Sequence, residues 1–94
     1  KIDVEGAEEH VIRGAQSVLE RHSPSLAIEV WFGTFTTNYA RSLQLLNEFG
    51  YKTNAIREDG SLIPLEPADI PEYAKQVCAD RRFAHALDNL IFTK

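Results

Sequence analysis

Three carboxylates stand where a sheet-borne site would need them. Asp3 and Glu5 close an apolar-acidic run, "KIDVEG", and Glu29 lies near the end of a second apolar run, "SLAIEV". In open α/β sheets, ligands bind outside the carboxyl ends of the strands, where loops meet helix N-termini. If these two runs are neighbouring strands, the carboxylates share one rim of the sheet, about 5 to 10 Å apart given the ~4.8 Å strand spacing. Carboxylates so placed can act as a general base toward a substrate hydroxyl, accept a hydrogen bond from an amine, or ligate a hard divalent cation through oxygen. Trp31, Phe32 and Phe35 follow Glu29 in "WFGTF" and could wall a substrate pocket, since such sites are largely apolar with a few placed polar groups.

The same residues also fit plainer roles. Acidic residues ahead of a helix face its positive end, and Glu5 with Glu8 has the spacing of a reciprocal cap. Glu29 lies between Ile28 and Val30, so if buried it needs a partner, structural or functional. Plain packing against a neighbouring helix is the simpler account of the aromatic loop. His10, His22 and His85 share no ligand spacing, Cys78 has no base near it in sequence, and Arg81 with Arg82 reads as a solvated pair.

The elements that must hold these groups follow from hydrophobic period and from breakers. Ile2 and Val4 mark the tail of an extended run, which Gly6 interrupts. From Ala7 the apolar positions Ala7, Val11, Ile12, Ala15, Val18 and Leu19 have helical spacing, with Glu8 and Glu9 in the first turn, Arg21 and His22 in the last, and Pro24 as the stop. "SLAIEV" reads as a buried strand, and strand, helix, strand is a crossover unit that implies parallel strands in one sheet. A second helix carries Tyr39, Leu43, Leu45, Leu46 and Phe49, with Gly50 just past its end. "YKTNAIR" is expected as a third strand nearer an edge, "EDG" as a turn into the Pro-interrupted "SLIPL", residues 71 to 79 as a short helix, and "NLIFTK" as the closing strand. These elements make an open α/β sheet with two crossover helices on one face, and such a sheet needs cover on the other.

Bulk composition narrows the function. Ninety-four residues at 44% hydrophobic content suffice for one domain or part of one. A formal charge of −4 with no run of Lys or Arg argues against nucleic acid as a partner. No apolar stretch approaches the ~20 residues that cross a bilayer, so no membrane partner is expected. One cysteine cannot make an internal disulfide, and a cytoplasmic location is the default. Neither a G-x-G-x-x-G fingerprint, nor a phosphate-binding P-loop, nor a C-x-x-C pair is present.

The run "KIDVEGAEEHVIRGAQSVLERHSPSLAIEV" resembles the central motif region of the FkbM family of S-adenosylmethionine-dependent methyltransferases. The matching residues are Lys1, Asp3, Glu5, Gly6 and Glu8, then Gly14, Pro24, Ile28, Glu29 and Val30; the likeness continues more loosely through "LNEFGY" to "DNLIFTK". Trp31 departs from the histidine that many family members carry after isoleucine-glutamate-valine. The resemblance implies a class I, Rossmann-like methyltransferase fold with strand order 3-2-1-4-5-7-6, the last strand antiparallel. Residues 1–94 would be its C-terminal half, strands four to seven of a single domain, with the cofactor-binding N-terminal half absent. It further implies methyl transfer from S-adenosylmethionine to a hydroxyl oxygen of a small-molecule, sugar or natural-product acceptor. On that reading Asp3 and Glu5 are the catalytic candidates, with Asp3 the base or substrate orienter. Glu29, Trp31 and Phe32 are the substrate-binding candidates. The cofactor would be held mainly by the missing half, and a divalent cation bridging Asp3 and Glu29 is a fold-level analogy.

A half-domain should be inactive alone, and its unpaired first strand invites self-association. The alternative is a non-enzymatic α/β module that binds itself or a partner through "WFGTF" and the open sheet edge.

Overall fold

The computed structural model describes residues 1–29, 37–79 and 89–94. They form a small α/β domain: α1 (Glu8–Gly14), α2 (Gln16–His22), β1 (Leu26–Glu29), α3 (Thr37–Glu48), β2 (Lys52–Ile56), β3 (Leu62–Leu65), a 3-10 turn (Pro67–Asp69), α4 (Ile70–Ala79) and β4 (Asn89–Thr93). The sheet order is β1-β4-β2-β3, and every named strand pair is antiparallel.

The second crossover, from β1 through α3 to β2, therefore does not join adjacent strands, whereas the first keeps its parallel neighbour at a single bridge. "KIDV" contributes one parallel bridge, Ile2 to Ile28, rather than a strand. β4, last in sequence, inserts between β1 and β2, pairing antiparallel with both, so β1 and β2 run in the same direction without touching.

Burial alternates along β1 and β4. Leu26 and Ile28 on β1, with Leu90 and Phe92 on β4, point into one core with Ile12, Leu19, Tyr39, Leu46 and Tyr51. The helices therefore lie on that face. Ala27 and Glu29, with Ile91, occupy the other face and are only half-buried.

Three local expectations are corrected. The first helical stretch is two helices meeting at Ala15, whose φ −91° and ψ 2° bend the path next to Gly14, a weak helix former. Its buried stripe is rotated from the expected one: Ile12 and Leu19 are buried, whereas Val11 and Val18 are 37% and 52% exposed. β2 is interior, because "LIPL" forms an edge strand, β3, with Pro64 opposite Asn54 at the outer position where a missing N–H does no harm.

Tyr51 ties the ends together. Its hydroxyl donates to the Pro24 carbonyl at 2.9 Å, while Lys94 sits 5.0 Å from its ring centre and donates to the Leu19 carbonyl at 3.2 Å. Asn54, buried on the opposite face, donates through Nδ2 to the Ile91 carbonyl at 3.1 Å and so pins β2 to β4.

Candidate functional site

The acidic rim is built by the Ile2 bridge. Ile2 N–H donates to the Ala27 carbonyl at 2.8 Å, and Glu29 N–H donates to the Ile2 carbonyl at 3.1 Å. This register puts Asp3, the next residue, beside the carboxyl end of β1 that carries Glu29.

After Asp3 the chain reverses sharply. Ala7 N–H donates to the Val4 carbonyl at 3.3 Å, closing a turn whose central residues, Glu5 and Gly6, have φ of 50° and 104°. Positive φ at both centres is the pattern of a type I′ turn, natural for Gly6 and strained for Glu5. Glu5 is exposed. It forms no reciprocal cap with Glu8; α1 has no side-chain cap bond at its N-cap, Ala7. The Asp3 carboxylate is exposed and 3.9 Å from Lys1 Nζ, a long surface pair that contributes little.

Glu29 is half-buried at the end of β1. Trp31, Phe32 and Phe35, the expected pocket wall, lie outside the described residues, as do Arg81, Arg82 and His85. His10 and His22 are exposed, and Cys78 falls in the last turn of α4.

Glu8 is the residue that sequence reasoning passed over. Taken there as a first-turn charge and a possible cap, it is 1% exposed. Its Oε1 accepts from Val4 N–H at 3.4 Å, and its Oε2 has no hydrogen-bond partner among the described residues. The signal was available: Glu8, Ile12, Ala15 and Leu19 have the spacing of one helical face, so the stripe that buries Ile12 and Leu19 also carries Glu8 inward.

Two ligand readings meet the geometry differently. Among the described residues no group of three or more His, Cys, Asp or Glu side chains could hold a metal ion. A cavity of about 250 Å³ opens between α3, β2 and the start of α4, lined by Leu43, Gln44, Asn47, Thr53 and Ile70 among others. Among the described residues no charged side chain lines it. Thr53 also lies in the strand row of Leu26 and Phe92, toward the end of the sheet away from Glu29. Among the described residues no helix is long and apolar enough to cross a membrane.

Compared with known families, the chain matches the model described as "Methyltransferase FkbM domain" over residues 1–53, more than half its length, from the Ile2 bridge to the start of β2. No curated protein and no solved structure gives a significant match.

Proposed function

This chain belongs to the FkbM methyltransferase family, and from that premise we propose that it is the substrate-side, C-terminal half of a class I methyltransferase domain. Methyl transfer in general follows from the family; the acceptor and the fold assignment rest on the arguments given next. The observation that carries the fold reading is the order Ile2 segment, β1, β4, β2, which runs as 4-5-7-6 in the class I sheet, with β4 antiparallel to both neighbours. β3 and α4 are then an elaboration between the sixth and seventh strands.

The acceptor in this proposal is a hydroxyl of a small molecule or glycan. S-adenosylmethionine supplies the methyl group when bound, and in this proposal its binding falls mainly to residues outside 1–94. Asp3 takes the proton from the acceptor hydroxyl, because its carboxylate is exposed at the rim and held at the carboxyl end of β1 by the Ile2 bridge. Glu29 and Glu5 accept hydrogen bonds from neighbouring hydroxyls and set the orientation of the acceptor. Trp31 and Phe32 remain the proposed apolar wall.

Calorimetry with S-adenosylmethionine tests the division of labour. Binding is expected for the protein at its full encoded length and not for residues 1–94 alone. Measurable methyl transfer by the 94-residue chain would overturn the proposal.

The half-buried second face of the sheet favours one further reading, an α/β module that binds itself or a partner there. Chemical unfolding and sedimentation of residues 1–94 separate the two: a cooperative, monodisperse fold supports the self-sufficient module, and a marginal or heterogeneously associating species supports the half-domain.

A further inference from the structure

We propose that Glu8 is a positioning residue, a buried latch that fixes the turn presenting Asp3 and Glu5; the functional part of this inference rests on the methyltransferase reading above.

A carboxyl group that is 1% exposed is costly in either protonation state when one of its oxygens lacks a partner. Its neighbours on the helix stripe are apolar, and an apolar side chain of the same length would fill the place without that cost. What the carboxyl group supplies and an apolar chain would not is an acceptor. Oε1 takes the Val4 N–H, the amide of the peptide that joins Asp3 to Val4. The carbonyl of the same residue accepts from Ala7 N–H. Val4 is thus held on both sides, by the Glu8 side chain and by the turn closure.

This holding matters because the turn does not hold itself. Glu5 sits at φ 50°, where a residue with a Cβ stays only if its surroundings fix it. Asp3 precedes the latched amide and Glu5 follows the latched carbonyl, so the direction of both carboxylates depends on the Val4 peptide groups.

The test compares Glu8→Gln and Glu8→Met in the protein at its full encoded length, reading thermal stability, amide hydrogen exchange at Val4, and methyl transfer. Gln keeps an oxygen acceptor, whereas Met offers only a weakly accepting thioether sulfur. Glu8→Met is expected to hold or raise the melting temperature while speeding Val4 exchange roughly two- to fivefold, the loss of one long and therefore weak hydrogen bond, and lowering methyl transfer. Glu8→Gln is expected to restore both the protection and the transfer. Unchanged Val4 exchange in Glu8→Met overturns the latch. A melting temperature that falls together with Val4 protection assigns Glu8 a structural role only. Faster exchange with unchanged transfer overturns the positioning role. A wild-type protein that transfers no methyl group removes the proposed reaction, while the exchange measurement still decides the latch.

Discussion

Glu5 concentrates the strain of the acidic turn in one residue. A residue with a Cβ in the left-handed region costs about 1 to 2 kcal/mol, part of which glycine returns as unfolded-state entropy. Glu5→Gly is therefore expected to raise stability by about 0.5 to 1 kcal/mol, read from urea unfolding. Asp59 gives a second residue-scale outcome. Ser61 holds its carboxyl below the ordinary value, through its side-chain hydroxyl first and its backbone N–H, 2.9 Å from Oδ1, second. A depressed folded pKa means the folded state favours the charged form, so the contribution is present above the ordinary value of 3.8 and is lost as pH falls through the folded value. Asp59→Asn should flatten the acid limb of the stability profile, measured by urea unfolding from pH 6 downward. At this scale the sequence made the candidates Asp3, Glu5 and Glu29 visible, because apolar-acidic alternation marks them. It hid the burial of Glu8, because a charge in a first turn has an ordinary explanation in the helix dipole and the eye stops there.

The elements were legible where period and breaker agree. α3, with its apolar positions and Gly50 at φ 89°, and the "NLIFT" strand carry both signals. They were less so where the two conflict. Gly14 sits inside an unbroken apolar period, and the structure bends one residue later, at Ala15. Nothing lies within 4 Å of a Cβ built at Gly14. Gly14→Ala should thus stabilise α1 by about 0.5 to 1 kcal/mol, measured by chemical unfolding; a loss would mean that the bend requires glycine. "SLIPL" was masked by its proline, which reads as a breaker until the neighbouring strand shows it at an edge. Tyr51 ties the start of β2 to the Pro24 segment through its hydroxyl, and Tyr51→Phe, which removes only that bond, is expected to cost about 1 kcal/mol.

On the scale of the whole molecule, the packing among the described residues is one-sided. The helices cover the face of Ile28, Leu90 and Phe92, and the face of Ala27, Glu29 and Ile91 is half open. Need for cover on that side could be read from the count of crossover helices. The insertion of β4 between β1 and β2 could not be read from the same pattern. Pairing between distant strands leaves no mark on local period, and only the resemblance to a known sheet order anticipated it. One-sided packing, the acidic rim at the end of β1 and membership of the FkbM methyltransferase family together carry the proposal of a substrate-side half-domain. The measurement that tests it most directly is transfer of a radiolabelled methyl group from S-adenosylmethionine into small-molecule or glycan acceptors by the protein at its full encoded length, comparing wild type with Asp3→Asn. Labelled product from wild type, reduced about 10²- to 10⁴-fold by Asp3→Asn as for loss of a general base, is the predicted result. Equal labelling by the two proteins would contradict the role given to Asp3, and no labelling by wild type would contradict the reaction itself.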